Sequence, residues 1–290
     1  MQASEIKGVA LDLDGTILNP EAVLSERMIN VVNKCVRRGI KIIIDTGRSM
    51  GGAEPYRFAL GVSGPMVYFN GAIVADMPGA AIIKSTLLDK KLAEICVDIS
   101  RESGVYCQIY FPAQDSSNNN VGSNASSASD FGMPLVADGE KAERKIYYDQ
   151  TKIMPKAGNL KEELSRYAQG CVKAMFIAEP SSLAAIRPLL EKRLGDNVYM
   201  TQTQWNYLEV MNREVSKGNS LKFVMDRLSL KVEEVIAFGD AENDIPMSSA
   251  AGFFIVPENA KDPVKEKAHL IIGSNAEDGV AAFLERFFRL

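Results

Sequence analysis

The sequence has a single histidine, His269, and a single tryptophan, and it has only four cysteines among 290 residues. A serine hydrolase needs a histidine base, and His269 precedes an apolar run that favours a structural role. The cysteines are Cys35, Cys96, Cys107 and Cys171. Because they form no close pair, they indicate neither a zinc knuckle nor a redox pair, and we expect buried thiols.

Excess positive charge and long apolar runs are also lacking. The net charge of -4 gives no general attraction to nucleic acids or anionic membranes. No apolar stretch is long enough to cross a bilayer, and the short run before Asp12 leaves no room for a signal peptide. We therefore expect a soluble, cytoplasmic protein with no nucleic-acid or membrane partner, and the sequence does not indicate its oligomeric state.

The length and the 46% of hydrophobic residues favour two globular domains. The first third predicts a strand at 9–11, a helix at 24–38 and a strand at 40–44. The last third predicts a helix around 221–228, strands at 235–238, 253–256 and 269–272, and a closing helix at 280–288. Continuous apolar strands joined by helices are typical of a parallel sheet covered on both faces.

The pattern changes in the middle of the chain. Asn70 and Gly71 predict a hairpin turn, and the strands that follow are shorter and more alternating. This insert is predicted to hold strands at 106–111, 172–177 and 207–211, helices at 92–99 and 183–194, and a mobile Ser- and Asn-rich loop at 115–130. The predicted fold is α/β: a Rossmann-like parallel-sheet core at 1–83 and 212–290, with an inserted α+β cap domain at 84–211.

The segment LDLDGT places Asp12 and Asp14 directly after a buried strand, and Gly15 permits a sharp turn there. In an open parallel sheet, ligands bind beyond the carboxyl ends of the strands. Two aspartates before a glycine can also be no more than a turn. A calcium loop is excluded, because its glycine would stand sixth whereas Gly15 stands fourth, counting from Asp12.

The segment IIIDTGRS again ends a buried strand in small polar residues. Thr46 offers a hydroxyl group, and Gly47 lets a backbone amide approach an anion closely. The alternative is that Thr46 only caps a following helix.

Two later segments also carry candidate residues. Lys217 in VSKGNSL stands before a predicted helix, where a lysine is normally solvated. AFGDAENDIPM delivers Asp240, Asn243 and Asp244 within one turn after a predicted strand. Capping of a helix near Pro246 would explain one of these two acids but not both.

Several carboxylates are thus predicted at one edge of the sheet: Asp12, Asp14, Asp240 and Asp244. Like charges about 4 Å apart repel by roughly 4 kcal/mol at an effective dielectric constant near 20. Such a cluster needs a compensating cation, and Mg2+ prefers one or two carboxylates together with water and a substrate phosphate.

The motifs DLDGT, TGR, SKG and GDAEND, in this order, resemble the four motifs of the haloacid dehalogenase superfamily. The chain looks most like the Cof-type phosphatases with a type IIB cap, which place that cap between the second and third motifs, as the long stretch from Arg48 to Lys217 allows. YFNGA and EDGVAAFL add to the resemblance. Asp45 departs from it, because the family often has a small residue there, and so does the segment FFIVPENA.

The resemblance implies that Asp12 attacks the phosphorus and is transiently phosphorylated, while Asp14 protonates the leaving alcohol and later activates water. The implied cofactor is Mg2+, and the implied metal ligands are Asp12, Asp14 through its backbone carbonyl, Asp240 and Asp244. The implied phosphate-binding residues are Thr46, Gly47, Lys217 and Asn243. Arg48 receives no role.

The expected function is removal of phosphate from a small phosphorylated metabolite, such as a sugar phosphate, with the cap at 84–211 closing over the core and selecting the substrate. A sugar phosphomutase would need the same core residues and is one alternative. A non-catalytic phosphate sensor or scaffold is another, which the loss of an acid or of the lysine would favour, and none is lost. A receiver-type domain also gathers acids and a lysine, but it needs no large insert.

Overall fold

The computed structural model describes residues 2–113 and 131–290, and the predicted loop at 115–130 lies outside the described residues. The chain divides into two compact units. Unit 1 comprises Met1–Arg48, Ala53–Lys84 and Ser216–Leu290, and unit 2 comprises Ser49–Gly52 and Ser85–Val215. The predicted limits of the core and cap domains stay predictions.

The described residues form strands and helices in both units. The strands are β1 Gly8–Leu11, β2 Lys41–Ile44, β3 Gly64–Tyr68, β4 Ile73–Met77, β5 Ala81–Ser85, β6 Tyr106–Tyr110, β7 Leu135–Asp138, β8 Lys156–Gly158, β9 Lys173–Ile177, β10 Val198–Gln204, β11 Tyr207–Asn212, β12 Val235–Phe238, β13 Phe253–Pro257 and β14 Leu270–Ile272. The helices are α1 Glu26–Arg37, α2 Met50–Leu60, α3 Lys90–Ser103, α4 Glu143–Thr151, α5 Leu160–Ser165, α6 Pro180–Leu194, α7 Lys217–Arg227, α8 Asp262–Lys265 and α9 Gly279–Phe288.

Unit 1 is built on a five-stranded sheet of order β14-β13-β12-β1-β2 in which every pair is parallel. This sheet confirms the predicted α/β class with a Rossmann-like core. A second sheet, β3-β4-β5, contains the antiparallel pair β3 and β4. The predicted hairpin turn at Asn70 and Gly71 joins these two strands and is confirmed.

Helix α1 forms where the helical spacing of apolar residues predicts it. The Ser25 side chain accepts a hydrogen bond from the backbone N–H of Met28 and so caps the first turn, as expected from the sequence. Lys34 and Arg37 lie in the last turn, where positive charge suits the helix dipole.

The sheet of unit 1 is covered on both faces. On one face, Ala10, Ile43 and Ala237 belong to one buried cluster with Leu221 and Val224 of α7. On the other face, α9 packs beside α1, and the ring of Phe283 lies 5.8 Å from that of Phe238 in β12. This double coverage explains why the central strands read as continuous apolar runs.

Unit 2 contains a sheet of order β10-β11-β9-β6-β7-β8 whose pairs are antiparallel except for β7 and β8. Residues of α3, α5 and α6 join the sheet in one buried apolar cluster. Cys96, Cys107 and Cys171 belong to this cluster, and Cys35 is buried in α1, so the predicted buried thiols are confirmed. No helix in the described part of the chain has the length and apolarity needed to span a bilayer.

Candidate active site

Three neighbouring parallel strands, β12, β1 and β2, end at the same edge of the sheet of unit 1. Asp12 follows β1, Asp45 and Thr46 follow β2, and Asp240 lies two residues beyond β12. The backbone N–H of Asp12 donates to the carbonyl of Phe238, 3.1 Å away, which fixes the start of the loop after β1. The parallel topology therefore brings together segments that are far apart in sequence.

The turn after β1 depends on Gly15. Its φ is +75°, and a Cβ atom added there would collide with the carboxylate of Asp240. The next residue, Thr16, donates from its hydroxyl to Oδ1 of Asp240 over 2.9 Å. The first and fourth motifs are thus in direct contact.

Asp12, Asp240 and Asp244 form a group that could hold a metal ion. One carboxylate oxygen of each lies within 4.8 Å of the others. Oδ2 of Asp244 accepts hydrogen bonds from the backbone N–H groups of Asp240 and Ala241, each over 2.9 Å. Asp244 therefore also caps the short 3-10 segment Glu242–Ser249 that stands where the sequence predicted a helix near Pro246.

Lys217 is the buried cation of this group. Its side chain is only 1% exposed, and Nζ lies 2.6 Å from Oδ1 of Asp12 and 2.5 Å from Oδ1 of Asp244. Burial opposes the charge on Lys217, but Asp12 and Asp244 outweigh it and raise the pKa of the ammonium group. A lysine just before a helix is usually solvated. Lys217 is instead buried and binds two carboxylates.

One lysine does not compensate all of the negative charge. Burial raises the pKa of Asp12 well above its usual range, with Lys217 acting in the opposite direction. Burial, together with the charge of Asp244, raises the pKa of Asp240 to about 7. A site whose buried carboxylates resist ionisation is one that a divalent cation would stabilise, so the donor set fits Mg2+.

The segment after β2 holds the second motif. Thr46 is fully buried, and its hydroxyl accepts a hydrogen bond from the backbone N–H of Arg48 over 3.1 Å. This bond closes a tight turn around Gly47. Thr46 and Gly47 thus lie at the same sheet edge as Asp12, where the sequence predicted them.

Residues 9–284 match the protein family described as haloacid dehalogenase-like hydrolase. The chain belongs to this family. One relative is the 5-amino-6-(5-phospho-D-ribitylamino)uracil phosphatase YitU of Bacillus subtilis, which is 26% identical over 292 residues that cover 97% of each chain. A solved structure from Thermotoga maritima is 26% identical, with a TM-score of 0.80 and 97% of each chain covered.

A sugar phosphatase of haloacid dehalogenase subclass IIB shares the fold. It is 18% identical, with a TM-score of 0.76, and the match covers 98% of this chain and 100% of the other. The family match over residues 9–284 confirms the resemblance read from the four motifs.

This hydrolase contains an ion pair that the sequence did not reveal. Arg48 binds the Asp14 carboxylate with two hydrogen bonds, from Nε over 2.7 Å and from Nη2 over 2.6 Å. The Arg48 guanidinium also lies 4.8 Å from the centre of the Tyr56 ring. Arg48, which had no predicted role, thus fixes the direction of the Asp14 carboxylate.

Asn243 was predicted to bind phosphate, and its side-chain amide makes a contact within the hydrolase itself. Nδ2 donates to Oδ1 of Asn70 over 2.8 Å. Asn70 lies in the hairpin turn and was not among the predicted site residues. The asparagine–glycine pair signalled a turn, and nothing in the sequence connected that turn with the fourth motif.

Asp45, which we read from the sequence as a departure from the family pattern, directly precedes Thr46. It is fully buried, and neither carboxylate oxygen finds a hydrogen-bond partner among the described residues. Burial raises the pKa of Asp45 well above its usual range, and the nearby charge of Lys217 only partly opposes this. The side chain is therefore a local cost to stability.

We expect Asp45→Ala to raise the free energy of unfolding by about 1–3 kcal/mol, the usual penalty of a buried unpaired polar group. Since folding raises the pKa of Asp45, its penalty grows as the pH rises above the ordinary carboxyl pKa of about 3.9. The gain should accordingly be smallest in acid and larger at neutral pH. Urea unfolding in the presence of a chelator measures this gain in the free energy of unfolding. The control is Asp226→Ala, which replaces an exposed aspartate. An Asp45→Ala protein less stable than the wild type would contradict the expectation.

Proposed function

We propose that this protein is a magnesium-dependent phosphatase that removes phosphate from a small phosphorylated metabolite through a covalent aspartyl phosphate on Asp12. Its enzyme class, a phosphoric monoester hydrolase, is confirmed by the family and by the phosphatases among its relatives. The observation that carries the proposal is the buried group in which Lys217 binds both Asp12 and Asp244.

Asp12 is the proposed nucleophile. Its carboxylate is held by the Lys217 ammonium group at the end of β1, so it has little freedom to turn. In the first step, an oxygen of Asp12 bonds to phosphorus while the bond from phosphorus to the ester oxygen breaks. The leaving alcohol takes a proton from Asp14, which enters this step as the neutral acid and leaves it as the carboxylate.

In the second step, water attacks the phosphorus of the aspartyl phosphate. Asp14 accepts the proton of that water, and the bond from phosphorus to the Asp12 oxygen breaks, which restores the free carboxylate. Both steps use Asp14 as the proton carrier, so the direction in which Arg48 holds its carboxylate matters to each. Arg48 is therefore proposed as a positioning residue.

The proposed metal ligands are the carboxylates of Asp12, Asp240 and Asp244 and the backbone carbonyl of Asp14. A divalent cation bound there would neutralise charge on the acids and on a phosphate group. The proposed phosphate-binding groups are the Thr46 hydroxyl, the backbone at Gly47, the Lys217 ammonium group and, at the edge of the site, Asn243. Phosphoryl transfer depends mainly on such positioning and charge neutralisation.

The substrate class is a small phosphorylated metabolite, and we propose that residues 84–211 select it. The relative YitU is named for a phosphorylated ribitylaminouracil. A panel of phosphate esters with Mg2+, containing aryl phosphates, hexose phosphates and that compound, tests the proposal. Hydrolysis of at least one ester supports it, and no hydrolysis of any would contradict it.

Asp14→Asn is expected to lower kcat/KM for alkyl phosphates by roughly 10²- to 10⁴-fold, the usual contribution of a general acid. For aryl phosphates kcat/KM should fall much less, because the phenolate is a good leaving group and departs without first taking up a proton. The constant kcat/KM is the one to compare, since it reports the steps up to departure of the alcohol. Equal losses for alkyl and aryl esters would argue against Asp14 as the acid.

A further inference from the structure

The hairpin tip between β3 and β4, Phe69–Gly71, has an unusual backbone. Its three residues have φ values of +50°, +58° and +102°, and all three are buried. Positive φ is disfavoured for phenylalanine and is tolerated better by asparagine and glycine. A buried turn of this kind persists only where its surroundings hold it, so its contacts are informative.

The hairpin tip is bonded to the segment of the second motif. The backbone N–H of Asn70 donates to the carbonyl of Thr46 over 3.0 Å, and that of Phe69 donates to the carbonyl of Arg48 over 2.9 Å. A Cβ atom added to Gly47 would lie 2.7 Å from Oδ1 of Asn70. The Asn70 side chain therefore packs directly against the turn that is proposed to hold phosphate.

The same tip reaches the segments of the third and fourth motifs. The Ser220 hydroxyl in α7, the helix that begins with Lys217, donates to the carbonyl of Gly71 over 2.9 Å. On the other side, Oδ1 of Asn70 accepts the hydrogen bond from Asn243. Three motif segments that lie on different elements of unit 1 are thus connected through three consecutive residues.

We propose that the hairpin tip sets the spacing of these three segments and that Asn70 is a positioning residue for the phosphate-binding groups Thr46, Gly47 and Asn243. This inference rests on the proposed function. Asn70 acts through other residues, because its amide oxygen holds Asn243 and its main chain holds Thr46. Small displacements of positioned groups are costly in phosphoryl transfer, whose rate depends on alignment.

The test compares Asn70→Gly with Ala80→Gly. Glycine keeps the positive φ of position 70 and removes only the side chain. Ala80 lies at the tip of the next hairpin of the same sheet, between β4 and β5, and has a φ of +52°, so its replacement adds the same backbone freedom. For an aryl phosphate, Asn70→Gly should lower kcat/KM roughly 10- to 100-fold, whereas Ala80→Gly should match the wild type.

Two further measurements separate positioning from a loss of folding. The affinity for orthovanadate, which resembles the transition state, should fall with kcat/KM in Asn70→Gly, while the folded fraction at the assay temperature stays complete. Ser220→Ala removes a different bond of the same tip and should give a smaller loss in the same direction.

A double-mutant cycle tests the bond itself. If Asn70 acts through Asn243, the double variant Asn70→Gly with Asn243→Ala should be no worse than the more affected single variant. Additive losses, or an Asn70→Gly enzyme as active as Ala80→Gly, would overturn the inference.

Hydrogen exchange provides a result that does not depend on turnover. In Asn70→Gly, backbone amides at 46–48 and 240–244 should exchange faster than in Ala80→Gly. If the wild type hydrolysed no phosphate ester, the proposed function would be wrong. The exchange rates would still show whether the hairpin tip orders the segments 46–48 and 240–244. Unchanged exchange in both segments would overturn the inference on its own.

Discussion

Asp12→Asn is expected to abolish turnover, with a loss of roughly 10⁴- to 10⁶-fold, the order of effect of removing a covalent nucleophile. An amide oxygen cannot form the acyl phosphate, although it occupies nearly the same volume as the carboxylate oxygen it replaces. The replacement also removes one of several like charges at the sheet edge, which include Asp240 and Asp244. The folded protein should therefore survive the substitution.

Circular dichroism and thermal melting in a chelator provide the control for Asp12→Asn. A melting temperature close to that of the wild type, together with undetectable hydrolysis of an aryl phosphate, is the expected pair of results. Measurable turnover near the wild-type rate would exclude Asp12 as the nucleophile. If Asp12→Asn does not fold, Asp12→Glu is the variant to test in its place. It keeps the negative charge but displaces the attacking oxygen.

Exhaustive chelation of divalent cations is the second change with a large expected effect. Hydrolysis should fall to background and return on addition of Mg2+, because a phosphate dianion cannot approach Asp12, Asp240 and Asp244 without charge neutralisation. Ca2+ should restore little, since its larger and more variable coordination shell misplaces the phosphorus. Full activity after chelation would contradict the mechanism, and equal rates with Ca2+ would argue against in-line attack by Asp12.

The pH dependence of Mg2+ affinity follows from the same group. Without a cation, the pKa of Asp240 is raised to about 7. Metal ligands must be deprotonated, so protons compete with Mg2+ below that pH and the Mg2+ concentration for half-maximal rate should rise as the pH falls. The variant Asp240→Asn should need more Mg2+ at every pH and should lose part of this dependence, because the pKa of Asp12, another proposed ligand, is also raised.

The central strands of the sheet of unit 1 were predictable because they are buried on both faces. Continuous apolar runs marked its strands, and helical spacing marked α1 and α9. A helix after Thr46 was only an alternative and its bounds were not predicted, because Gly51, Gly52 and Pro55 in α2 have low helix propensity, which tertiary contacts override. In unit 2, β7, β8 and β10 were not predicted. β8 has only three residues, and β10 ends in the polar run TQTQ, so neither shows a clear apolar pattern.

The positions of the acids were predictable for a geometric reason. The carboxyl ends of parallel neighbours meet at one edge, so Asp12 and Asp240 had to approach each other once the strands were identified. The pairing of Arg48 with Asp14, across 34 positions, depends on side-chain directions that no local pattern encodes. The bond between Asn243 and Asn70, across 173 positions, depends on how the hairpin folds back.

Trapping of the phosphorylated enzyme tests the central claim most directly. The protein is mixed with an aryl phosphate and Mg2+, quenched in acid within one turnover, digested and analysed by peptide mass spectrometry. We expect a phosphoryl group on Asp12, formed at least as fast as steady-state turnover and absent from Asp12→Asn. A phosphoryl group on another residue, or a pre-steady-state burst of released alcohol with no phosphoryl group on Asp12, would contradict the proposed mechanism.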